Sequence, residues 1–244
     1  MKKRVKVLGC KVDLISNKGA LEFVADAVNN SENMQIVTIN PEMIELASKD
    51  CEFAKVLNEA ELVFPDGVGV ELALRLKGHS IKRIRGVDFA RELIHLCNEN
   101  SYRLALLGAK EEVIQALKLN LEEKFNNLNI VYLRNGYYED ENSIINDLKE
   151  ASPQILLCGL GAPKQEFLIY KLKTVLSGCV MVGVGGAFDV LSGLTKEAPK
   201  IWTKLSLEWL YRTLSQPERF KRIFPALPIF LFRAIIESLR GEND

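Results

Sequence analysis

The sequence is short of the residues that build metal, disulfide and cofactor chemistry. Its 244 residues hold two histidines, His79 and His95, and their spacing makes no ligand pair. No two aspartates stand two apart, which removes the Asp-x-Asp that many sugar-nucleotide enzymes use to hold a cation. Five cysteines (Cys10, Cys51, Cys97, Cys158, Cys179) lie far apart, without a Cys-x-x-Cys pair and mostly inside apolar runs. Buried, reduced thiols of a cytosolic protein are expected of them. Net charge is absent too: 32 Lys and Arg balance 32 Asp and Glu, so no global field favours nucleic acid. The longest apolar run of the tail, residues 223–232, is broken by Pro225 and Pro228. A membrane-spanning helix needs roughly 20 apolar residues, so none is expected. The basic start MKKRVKVLGC leads into no long apolar segment, and no secretory leader is expected. Nucleotide fingerprints fail as well. Three Gly-x-Gly turns occur, but Leu72, Lys164 and Phe188 stand where a dinucleotide loop needs its third glycine. No Gly-x-x-x-x-Gly-Lys-Ser/Thr loop is present.

What is there reads as a folded α/β chain, 48% hydrophobic and 26% charged. Short β-rich runs at 4–10, 34–39, 61–64, 102–107, 129–133, 154–158 and 179–184 alternate with helical patterns at 17–29, 41–58, 68–77, 87–99, 110–126, 140–150 and 163–176. Several of these strands are apolar without alternation, as when helices cover both sheet faces. The expectation is a Rossmann-like, mostly parallel sheet. Near Pro199 the character changes, and residues 201–244 read as helices only: IWTKLSLEWLYRTL, then QPERFKRI, then PIFLFRAIIESLRG. Residues 1–200 are taken as the core and 201–244 as a helical appendage. The appendage is the basic part, with seven Lys and Arg against three Glu over 201–240.

Ligands of open α/β sheets bind at the carboxyl ends of the strands. Four stretches fall there: Thr38-Ile39-Asn40-Pro41, Asp66-Gly67-Val68-Gly69, Gly159 to Glu166 (GLGAPKQE) and Gly183 to Asp189 (GVGGAFD). Asn40 suits an N-cap before Pro41. Glycine turns and free helix N-termini can receive phosphate, although strand-to-helix turns also use glycine for steric reasons. Asp66, between proline and glycine, is a helix cap, a ribose contact or a proton acceptor. Of the basic cluster Lys77, Lys82, Arg83 and Arg85, Arg85 is favoured as a phosphate ligand because the loop returns to the sheet edge that carries Asp66.

The ordered run of TINPEM, FPDGVGV, RIRGVDF, LLGAK, NGYY, GLGAPKQE, GVGGAFDVLSG, KEAPK and LEWLYRTLSQPERFKRIF resembles the WecG/TagA/CpsF glycosyltransferase family over nearly the whole chain. The resemblance implies an inverting, metal-independent enzyme that needs no cofactor. It implies transfer of N-acetylmannosamine from a UDP donor to the 4-hydroxyl of GlcNAc on undecaprenyl diphosphate, in wall teichoic acid linkage synthesis. A family member using another donor sugar, such as the uronic acid form, is the alternative. The resemblance further implies Asp66 as general base with Thr38 beside it in the catalytic centre. Asn40, Arg85, Gly136, Tyr137, Gly161, Gln165, Gly185, Gly186 and Asp189 are implied as substrate-binding. Arg212, Arg219 and Arg222 are implied as covering the lipid diphosphate.

Residue chemistry agrees with that role. A single displacement needs one base for the acceptor proton, and an ordinary Asp, with pKa ~3.9, would be raised toward that task by burial. In the tail, Trp202, Leu205 and Trp209 share an apolar helix face, and Arg219 and Arg222 stand one turn apart. Basic beside apolar residues suit the inner, anionic face of a membrane, so a peripheral cytoplasmic protein is expected. The same face can be covered by homo-oligomerisation in solution. Two rival readings are a nicotinamide-dependent sugar-nucleotide enzyme, disfavoured by the failed glycine fingerprint, and a non-catalytic membrane scaffold.

Overall fold

The computed structural model describes residues 3–199, 201–202, 208, 210–211 and 220–240. Its centre is a six-stranded sheet built from β3 (Met34–Ile39), β4 (Leu62–Pro65), β5 (Arg103–Gly108), β6 (Asn129–Arg134), β7 (Ile155–Gly159) and β8 (Val180–Gly183). All neighbouring strands are parallel, in the order β4-β3-β8-β7-β5-β6. Strands β3, β4, β7 and β8 are buried along their whole length, which explains why they are apolar without alternation, Gln35 and Thr38 of β3 apart. Packing on the two faces are α1 (Asn17–Asn29), α2 (Pro41–Ala47), α3 (Cys51–Asn58), α4 (Val68–Leu76), α5 (Gly86–Asn100), α6 (Glu111–Lys124), α7 (Glu141–Ala151), α8 (Lys164–Leu172) and α9 (Ala187–Leu191).

Four local readings are corrected. The expected first strand is one arm of an antiparallel hairpin, β1 (Lys3–Val7) and β2 (Cys10–Leu14), outside the main sheet. Leu8 and Gly9 both have positive φ, the backbone of a tight hairpin turn. The hairpin lies along the edge strand β4: Asp13 accepts from Val63 N at 2.8 Å, and Arg4 donates to Ala60 O and Glu61 O. Arg4 also pairs with the buried Asp13 at 2.6 Å, so the edge is blocked by a neutralised pair. The helix expected over 41–58 is broken, because Asp50 accepts from Phe53 N and caps a second helix, α3. The short α9 follows β8 where no helix was expected.

The last correction concerns the tail. Its final stretch forms one helix, α10 (Phe220–Leu239), that runs through Pro225 and Pro228. Proline inside a helix costs on the order of 3 kcal/mol. Tertiary packing offsets that cost: Phe230 and Ala234 are buried in the same cluster as Met43, Ile44, Val70 and Leu74 of α2 and α4. Polar contacts hold the helix at both sides. Arg233 reaches both oxygens of Glu45 at 3.0 and 2.9 Å. Glu237 accepts from Leu8 N and pairs with Lys77. Gly69 makes the approach possible, since a Cβ there would lie 2.6 Å from Pro41 and 3.1 Å from Leu227. Arg212, Arg219, Leu205, Trp209 and the side chain of Arg222 lie outside the described residues.

Candidate active site

The loop after β3 leads to α2 on one face of the sheet, whereas the loop after β8 leads to α9 on the other, so the two loops part. Such a switch point is where open α/β sheets bind ligands. A cleft opens there. Its walls come from Thr38 near the end of β3 and Asn40 after it, Asp66 and Gly67 after β4, Arg83 and Arg85 before α5 and Gly86 at its start, Gly161 and Gln165 after β7, and Gly185 and Gly186 after β8. The tail closes one side with Glu208 and Leu227.

At its floor two side chains converge. Asp66 Oδ2 lies 3.1 Å from the point that a Cβ on Gly86 would occupy, and Thr38 Oγ1 lies 3.5 Å from the same point. Gly86 opens α5, so the carboxylate sits at the positive end of a fifteen-residue helix. Thr38 is buried and donates its hydroxyl proton to Gly183 O at 3.2 Å, which leaves the oxygen lone pairs turned elsewhere. Asp66 does not cap α4. The cap is Gly67, at φ 123°, with no side-chain bond to the helix. Asn40 does cap: its Oδ1 accepts from Met43 N at 3.0 Å ahead of Pro41.

Gln165 joins two turns. Its Oε1 accepts from Gly161 N and from Gly185 N, both at 3.0 Å, and its Nε2 donates to Glu166 Oε1 at 2.7 Å. Burial pushes the Glu166 carboxyl up to about 7, with the Gln165 bond pulling the other way.

Arg85 is held by carboxylates. Its Nη1 meets Asp88 at 3.1 Å and its Nε meets Glu208 at 3.1 Å, while Arg83 takes the other oxygen of Glu208. Asp88 also pairs with Arg91. The two cleft arginines are thus charge-compensated from α5 and from the tail. Glu166 and Glu208 carry no sequence signal as site residues of their own, and Arg83 stands in the sequence only as one of the basic cluster from which Arg85 is favoured. Arg83 shares Arg85's alternation, and Glu208 is an acid inside an apolar run, but only the fold brings them together.

Three implied residues stand outside the cleft lining. Gly136 packs on the turns after β5 and β7, where a Cβ would meet Leu160 at 2.7 Å. Tyr137 beside it is exposed, and Lys164 lies over the Tyr138 ring. Asp189 is in the first turn of α9. Among the described residues no three His, Cys, Asp or Glu side chains gather as metal ligands.

The model of the Glycosyl transferase WecG/TagA/CpsF family matches residues 5–244. The chain belongs to that family. A relative from Bacillus subtilis (strain 168), named N-acetylglucosaminyldiphosphoundecaprenol N-acetyl-beta-D-mannosaminyltransferase, is 35% identical over 204 residues, covering 83% of this chain and 79% of the relative. A relative of the same name from Staphylococcus aureus (strain MW2) is 32% identical over 237 residues, covering 94% and 91%. Membership makes the chain a glycosyltransferase, and the floor of the cleft holds one carboxylate, one oriented hydroxyl and two glycine turns.

Proposed function

We propose that this chain moves N-acetylmannosamine from UDP-N-acetylmannosamine to the 4-hydroxyl of the GlcNAc carried on undecaprenyl diphosphate. The name shared by both relatives supports the transferred sugar and the acceptor. The observation that carries the chemistry is the convergence of Asp66 and Thr38 at the start of α5. In the proposed step the acceptor oxygen attacks the anomeric carbon as Asp66 takes its proton. The bond from that carbon to the β-phosphate oxygen breaks with its electrons, UDP leaves, and the α-donor becomes a β-linked disaccharide. Thr38 orients the reacting groups. The glycine turns after β7 and β8 offer backbone N–H groups to the donor, alongside Asn40, Gln165 and Arg85. Arg212, Arg219 and Arg222 are assigned to the lipid diphosphate. Gly136, Tyr137 and Asp189 extend the substrate-binding set toward the neighbouring strand ends.

The acceptor is membrane-borne, and the tail suits a surface. Ile229, Phe232, Ile235 and Leu239 are exposed at near three-residue spacing on α10. The proposed attachment is peripheral, on the inner leaflet, through this exposed apolar face; among the described residues no helix is long and apolar enough to cross a membrane.

The test is UDP release over a panel of UDP-sugars, with and without a short-chain lipid-linked GlcNAc. Release from UDP-N-acetylmannosamine that requires the acceptor, and persists in EDTA, supports the proposal. Release from a different UDP-sugar alone reassigns the donor, and dependence on a divalent cation removes the metal-free step.

A further inference from the structure

Glu166 is 1% exposed, and its carboxylate does no work in capping or ion pairing among the described contacts. A buried acid is costly, and a leucine or glutamine would pack a purely structural position at less expense. One oxygen, Oε1, accepts from Gln165 Nε2 at 2.7 Å; Oε2 has no hydrogen-bond partner. The backbone of Glu166 is held in turn by Gln35, whose Nε2 donates to Glu166 O at 3.2 Å.

The Gln165 amide can sit in either of two orientations. In the observed one its oxygen receives the N–H groups of Gly161 and Gly185, from the turns after β7 and β8. Flipped, its NH2 group would face two N–H donors, and its oxygen would face a carboxylate oxygen. The acceptor at Glu166 Oε1 fixes the NH2 end of the amide in the orientation that the two N–H groups also favour, and that orientation lets the two turns share one anchor. The space is made for this pair. A Cβ on Gly183 would lie 2.5 Å from Gln165 Nε2 and 2.9 Å from Glu166 Oε1.

We propose that Glu166 is a positioning residue: it orients the Gln165 amide and thereby sets the spacing of the two glycine turns that receive the donor's diphosphate. This rests on the donor site proposed above. The residue touches no substrate; it acts through Gln165.

Calorimetric titration of UDP, without acceptor, tests it. Glu166→Leu removes the acceptor and is expected to weaken UDP binding by roughly tenfold or more, as an orphaned buried donor would. Glu166→Gln keeps an acceptor oxygen and is expected to recover most of that loss. In turnover assays the loss should appear in the donor KM, with kcat and acceptor KM nearly unchanged. A folded Glu166→Leu protein with wild-type UDP affinity overturns the proposal. So does a Glu166→Gln protein as impaired as the leucine variant, since charge rather than orientation would then matter. If the leucine variant does not fold, Gly183→Ala takes its place: its methyl group displaces the pair, and unchanged UDP binding again overturns the proposal. A wild-type protein that binds UDP but transfers no sugar sinks the proposed reaction and leaves this comparison intact.

Discussion

At the scale of single residues, position along a strand did most of the work. Thr38, Asn40 and Asp66 are legible in sequence because each follows an apolar strand, and strand ends of a parallel sheet share one edge. Their division of labour was not legible. Asn40 and Asp66 both precede a helix, yet Asn40 caps and Asp66 does not, because Gly67 intervenes and turns the chain. Asp66→Asn is therefore expected to leave the thermal midpoint close to wild type and to lower UDP release by about a hundredfold or more, measured in the acceptor-dependent assay. Glu166 supports a second expectation, about stability. Its carboxyl is raised from 4.5 to about 7 by burial, so the native state binds the proton more tightly than the unfolded chain. That contribution is complete below pH 4.5 and is lost as pH rises to about 7. Glu166→Gln has no such titration. Its unfolding free energy relative to wild type should therefore climb between pH 5 and 7 and level off above, by a few kcal/mol at most. A flat difference across that range in denaturant titrations would place the carboxyl at an ordinary value.

At the scale of elements, periodicity located the buried strands and most helices, and it failed where neighbours decide. The hairpin β1-β2 looked like one sheet strand because its first arm is as β-prone as the others; only the Arg4–Asp13 pair against β4 shows its place. Helix α10 looked like two pieces because of its prolines. Burial of Phe230 between α2 and α4 outweighs the broken backbone bonds. Phe230→Ala should cost about 3–5 kcal/mol in chemical unfolding. Gly69→Ala should cost about 1–3 kcal/mol by forcing Pro41 and Leu227 apart. Both act at the seam between tail and core, next to the cleft. Equal stability of either variant to wild type would mean that α10 leaves the core in solution.

At the scale of the whole molecule, the tail links cleft and surface. Glu208 ties the described part of the tail to Arg83 and Arg85 at the cleft wall, while α10 presents Phe232 and Ile235 outward. If that face meets lipid, the double variant Phe232→Glu, Ile235→Glu should pull less protein down with anionic vesicles while UDP affinity in solution stays at wild type. Co-sedimentation checks it; unchanged recovery on vesicles, with dimers lost in sedimentation, would assign the face to a second copy instead.

Composition and local pattern determined the fold class, the family motifs and the sheet edge that carries the candidate site, because these depend on each residue's own chemistry and its near neighbours in the chain. Tertiary structure decided the rest. Asp66 and Thr38 stand 28 positions apart and meet only because β3 pairs β4 in a register that brings both strand ends to Gly86. Gln165 unites turns from two strands, and Glu208 finds its arginines more than a hundred residues upstream. Contacts across that much chain are set by how buried surfaces pack, and no local window of sequence contains them.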